Sequence, residues 1–115
     1  MSYNGQLADR LRNALARESA VEEKKMMGGL TFMVSGKMCV GVAKDDLMVR
    51  LAPKVYEDVL RRRGCRKMDI TGKPMRGFVF VSPEGYKTRR DLEYWVRRAL
   101  DFNQEAKAIS RRKPA

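Results

Sequence analysis

Histidine is absent from the 115 residues. With it go the commonest general base near neutral pH and the commonest metal ligand. Cysteine is scarce, with only Cys39 and Cys65. Two thiolates without an imidazole do not complete a four-ligand zinc site unless carboxylates or a second chain contribute. Cys39 also lacks an imidazole to activate it as a nucleophile. Two buried or half-buried thiols are expected, not a disulfide. Long apolar runs are missing, the longest being a few residues where a membrane span needs about 20. The start, Met1-Ser2-Tyr3-Asn4-Gly5, has no basic stretch followed by an apolar one. No secretory signal is therefore expected, and the expected compartment is the cytoplasm. No room exists for a dinucleotide domain with its substrate half. The expectation is a protein with no cofactor, no resident metal and no enzymatic activity.

What is abundant is positive charge. The net charge is +11, and it is unevenly placed. Residues 1–60 carry 9 Lys/Arg against 8 Asp/Glu, and residues 61–115 carry 16 against 6. The excess in the second half suits a polyanion or an acidic partner.

The length fits one domain, read as residues 1–110 with a basic tail, 111–115. Leu7, Leu11, Ala14 and Leu15 form one helical stripe, placing a helix over Asn4–Glu18 with Asn4 as cap. Ser19–Lys25 reads as a polar connection. Leu30–Val34, Lys37–Ala43 and Leu47–Leu51 read as a three-stranded meander turned at Ser35-Gly36 and Lys44-Asp45-Asp46. Pro53 opens a second helix that Gly64 ends. Met68-Asp69-Ile70 is a short strand, Gly77–Val81 a clear one, and Pro83-Glu84-Gly85 ends it. Thr88 and Asp91 precede a third helix, Arg89–Ala108, striped by Leu92, Trp95, Val96, Ala99 and Leu100. The order α-β-β-β-α-β-β-α predicts an α+β, two-layer fold with an antiparallel sheet.

The strands carry two apolar sets. Leu30/Phe32/Val34, Met38/Val40/Val42 and Leu47/Val49/Leu51 make one face, while Met33, Cys39, Met48, Val79 and Val81 make a second. Helices must cover both, or a second copy covers one. Met33, Cys39 and Met48 are therefore the candidate partner or homodimer face. The eight methionines, most in or beside strands, read first as core and second as a partner face.

Glu23-Lys24-Lys25-Met26-Met27-Gly28-Gly29-Leu30, Gly36-Lys37-Met38, Asp46-Leu47-Met48-Val49-Arg50 and the run Met68-Asp69-Ile70-Thr71-Gly72-Lys73-Pro74-Met75-Arg76-Gly77-Phe78-Val79-Phe80-Val81 resemble the TfoX/Sxy N-terminal domain family. Trp95 also fits. The resemblance covers about residues 3–105, with Met27 where the family usually has Phe. It implies an α+β fold and a role like that of competence regulators, which help the cyclic-AMP receptor transcription factor act at DNA-uptake promoters. Those regulators carry a second, C-terminal helical domain, for which 115 residues leave no room, so a stand-alone domain is expected. The implied partner is a protein, transcription machinery or a regulator. The family supplies no catalytic residues.

Two glycine-bearing segments are set aside on spacing. Thr71-Gly72-Lys73 has Lys67 where a phosphate loop needs glycine and Pro74 where it needs Ser or Thr. Gly28-Gly29 has no third glycine and opens no helix. Arg61-Arg62-Arg63-Gly64-Cys65-Arg66-Lys67 packs five basic residues into seven, followed by Lys73 and Arg76. One reading is a solvated helix end. The other is contact with nucleic-acid phosphates or an acidic partner, without base readout.

Overall fold

Asn4 begins the fold as predicted. Its side-chain oxygen accepts the N–H groups of Gln6 and Leu7 at 2.9 and 3.0 Å, capping helix α1 (Gly5–Ala14). The computed structural model describes residues 3–26, 28–69, 72 and 75–106. Helix α1 stops four residues short of the expected Glu18. Past Leu15, itself buried, residues 16–20 are exposed and nothing apolar holds another turn.

The polar stretch after it is not a connection. Val21–Met26 form strand β1, paired antiparallel with β2 (Gly29–Val34). Strands β3 (Lys37–Ala43) and β4 (Asp46–Arg50) continue the meander. A 3-10 turn, Pro53–Val55, leads into the single-turn helix α2 (Tyr56–Val59). The short strand expected at Met68-Asp69-Ile70 lies three residues earlier, as β5 (Cys65–Lys67), while Ile70 falls outside the described residues. Strand β6 (Phe78–Val81) pairs with both β4 and β5. Pro83, read as a strand terminator, opens a further one-turn helix, α3 (Pro83–Tyr86). Helix α4 (Arg89–Asn103) has Thr88 as cap, its hydroxyl accepting the Asp91 N–H at 3.0 Å. It ends at Asn103, five residues short of the expected Ala108, and Gln104–Ala106 have already left the helix. Ala108 and the tail 111–115 lie outside the described residues.

The result is an α+β fold with a six-stranded antiparallel sheet in the order β1-β2-β3-β4-β6-β5. Every buried apolar helical residue in the main core belongs to one side of the sheet: Leu7, Ala8 and Leu11 of α1, Tyr56 and Val59 of α2, Tyr86 of α3, and Leu92, Trp95, Val96 and Ala99 of α4. They pack on Leu30, Phe32, Val34, Val40, Val42, Leu47, Val49, Val79 and Val81.

The opposite side holds a separate cluster of Met33, Met38, Met48 and Met68, with Met26, Ala43, Met75, Phe78 and Phe80 packed against it. Four residues, Met38, Cys39, Val79 and Val81, lie on the face opposite to the one expected. The register between β2 and β3 shifts after Phe32, which opposes Val40 while Met33 opposes Met38. Cys39 is the extra residue of this bulge, so it joins Val40 in the helix-side core and Met38 falls on the methionine side. Val79 and Val81 also belong to the helix side, and their neighbours Phe78 and Phe80 to the other. Among the described residues no helix contributes to the methionine side.

Candidate functional site

The arginines of residues 61–67 leave the end of α2 and run into β5, beside α4. Their surroundings divide them. Arg62 lies over the Tyr94 ring at 3.7 Å and 5.8 Å from the Trp95 ring centroid. Arg98, one turn along α4, also approaches Tyr94 at 5.3 Å, and its Nε donates to the phenol oxygen at 3.1 Å. Tyr94 and Trp95 meet edge-on at 5.1 Å. Two guanidinium groups thus share one aromatic side chain.

Arg66 donates to Asp46 at 2.6 Å and lies 5.1 Å from the Phe80 ring. Arg76 reaches Glu57 at 3.5 Å and the Tyr56 ring at 5.3 Å. Arg61, Arg63 and Lys67 are exposed, and among the described residues no carboxylate pairs with them. Lys73 lies outside the described residues. The seven predicted basic positions therefore do not form one patch of equivalent charges. Three are spent on local aromatic and carboxylate partners, and three project freely.

A cleft of about 330 Å³ beside this region is lined by Arg62, Arg63, Glu84, Gly85 and Asp91. It presents both signs of charge. A second hollow, about 230 Å³, lies between the Pro53 turn and α4 and is lined by Lys54, Arg98, Asp101, Phe102 and Glu105 among others.

The predicted partner face is placed differently. Met33 and Met48 are buried on the methionine side, and Cys39 is buried on the helix side. The part-exposed members of the methionine side are Met26, Ala43, Met75, Phe78 and Phe80.

Both thiols are held neutral. Burial pushes Cys39 up to about 12, with Glu18 adding to the effect and Arg50 opposing it. Burial pushes Cys65 up to about 11, against the pull of Arg62 and Arg66. A thiol above its ordinary range is a poor nucleophile at neutral pH. Among the described residues no group of three or more Cys, Asp or Glu side chains could hold a metal ion. None of their helices is long and apolar enough to cross a membrane.

Arg50 was missed in the sequence. It lies 5.3 Å from the Phe78 ring and 5.7 Å from that of Phe102, with Nη1 buried and without a hydrogen-bond partner. Burial lowers its pKa. The signal was a lone charge in Leu47-Met48-Val49-Arg50-Leu51, at a position where alternation points it to an apolar side.

Against known families, the model described as TfoX N-terminal domain matches residues 13–103. No curated protein and no solved structure matches the chain.

Proposed function

The chain belongs to the TfoX N-terminal domain family, and from that premise we propose that it is a non-enzymatic regulatory domain of the competence-regulator type, acting in the cytoplasm through protein contacts. The observation that carries this reading is the extent of the match. It runs from Asn13, near the end of α1, to Asn103, the last residue of α4, and so takes in the whole sheet together with α2, α3 and α4. The cleft of mixed charge supports a surface suited to contacts, and the thiols of Cys39 and Cys65, kept protonated by burial, are poor nucleophiles.

A second reading is binding to nucleic-acid phosphates. It draws support from Arg61, Arg63 and Lys67, which are exposed and project from the half of the chain that carries the charge excess. Capture of the intact chain from native lysate, with and without nuclease, tests the two together. A protein retained after nuclease treatment supports protein contacts. Material lost on nuclease treatment supports the second reading. A bait that retains neither overturns both.

A further inference from the structure

Strand β1 ends the sheet, and its outer edge is open among the described residues. Edge strands are usually kept short, bulged or interrupted by proline, because their unpaired N–H and C=O groups template further pairing. The other edge, β5, has only three residues. Strand β1 has six, in uninterrupted register with β2 and without proline. Its protection is charge alone, in the sequence Val21-Glu22-Glu23-Lys24-Lys25-Met26.

Which backbone groups face outward follows from one bond. The Ser35 N–H donates to the Ala20 carbonyl at 2.8 Å, and the register continues from that pair. Residues 20, 22, 24 and 26 therefore turn their backbone groups toward β2. Val21, Glu23 and Lys25 turn theirs to the open edge. Side chains alternate as well. Val21 packs with the helix-side core, Glu23 reaches Arg12 of α1, and Met26 packs with the methionine side. Glu22 and Lys24 share the side of Met26.

We propose that β1 pairs antiparallel with β1 of a second copy of this chain, in the register that sets Glu22 opposite Lys24 of the other copy, to form a continuous twelve-stranded sheet. A two-fold axis normal to the sheet keeps each face with its like, so odd positions oppose odd and even oppose even. Two registers overlap most of the strand. Centred on Lys24, the pairing sets two lysines face to face, and among the described residues no carboxylate neutralises them. Centred on Glu23, it sets Glu22 against Lys24 twice, in the closer, non-hydrogen-bonded positions where cross-strand charges interact best.

The like pair in that register is Glu23 against Glu23, and α1 has already dealt with it. Arg12 holds each Glu23 carboxylate in two hydrogen bonds, 2.6 Å from Nε and 2.8 Å from Nη2. The outward groups of Val21, Glu23 and Lys25 then form about six inter-chain hydrogen bonds, two per pair. This interface is independent of the regulatory reading and distinct from the methionine side.

Sedimentation equilibrium at micromolar to submillimolar concentration tests it. Wild type should approach twice the 13.2 kDa chain mass. Glu22→Lys and Lys24→Glu, both on exposed side chains, should each weaken dimerisation by roughly tenfold or more, since each creates two like-charge pairs. Mixed together, the two single variants should recover a heterodimer. Positions 22 and 24 are then both lysine in one chain and both glutamate in the other, so each cross-strand pair is opposite in charge. The double variant should dimerise like wild type, which separates charge matching from misfolding, and circular dichroism checks each fold. Wild type at 13.2 kDa throughout overturns the proposal. So does a dimer indifferent to Glu22→Lys, or a mixture that stays monomeric while the variants remain folded.

Discussion

The indole Nε1–H of Trp95 donates to the Gly85 carbonyl at 3.0 Å, tying the middle of α4 to the short helix α3. The indole is 1% exposed, so both the packing and the polar partner are buried. Trp95→Ala should cost about 3–5 kcal/mol in denaturant unfolding. Trp95→Phe keeps much of the volume but leaves the Gly85 carbonyl without its donor, and should cost at least ~1 kcal/mol. A loss below ~1 kcal/mol for the alanine variant would remove Trp95 from the core.

Two glycines should respond in opposite directions. A Cβ on Gly29 would run into the Val42 carbonyl oxygen across the β2–β3 pair, so Gly29→Ala should destabilise strongly, by more than ~2 kcal/mol. Gly5, in the first turn of α1, has open space where its Cβ would stand. Gly5→Ala should stabilise by about 0.4–1 kcal/mol through the unfolded chain. Thermal melts of the two variants give the signs directly.

Alkaline pH should loosen the fold through Cys39. Its folded pKa is raised to about 12, above the ordinary thiol range. In the range above the ordinary thiol value, the unfolded chain has lost this proton and the folded chain retains it. Stability is therefore complete below pH ~8.5 and falls as pH rises, by up to about 1.4 kcal/mol per pH unit from this group. Urea unfolding should show a shallower alkaline decline for Cys39→Ala than for wild type. Parallel declines would show that the thiol does not contribute.

The nucleic-acid reading has its own arithmetic. Arg62 is stacked on Tyr94, so the informative variant changes the freely projecting Arg61 and Arg63 to Gln. In fluorescence anisotropy at low salt, that variant should bind unrelated duplexes about equally more weakly than wild type. The log–log salt slope should shrink by about 0.9 for each phosphate no longer neutralised. Absence of wild-type binding at tens of micromolar protein would eliminate this reading.

The elements legible from sequence were those whose side chains alternate against a core. Leu30–Val34, Lys37–Ala43 and Gly77–Val81 coincide with β2, β3 and β6 within a residue or so, and the Leu92/Trp95/Val96/Ala99 stripe marks α4. Strand β1 was illegible because Glu22–Lys25 are exposed, so period-two burial leaves no trace in residue type. The faces were misassigned at Met38 and Cys39 because a bulge adds one residue without altering composition, and the alternation changes phase across it. Helix α3 is a single turn, too short for any periodic signal. In the candidate site, the clustering of arginines was visible. Their division was not, since Tyr94, Asp46 and Glu57 come from elements distant in sequence.

The strand order also has a kinetic consequence. β1, β2, β3 and β4 are joined by two-residue connections and pair with their sequence neighbours. Such pairings close small loops and form early. β6 is separated from its partner β4 by 27 residues, and the strand pairing of β5 is with β6 alone among the described residues. The β5–β6 hairpin must therefore dock as a unit onto a meander already in place. Pulse-labelled hydrogen exchange during refolding should protect Phe32 and Val40 before Val79 and Val81, with the strongly basic half of the chain the last to lock.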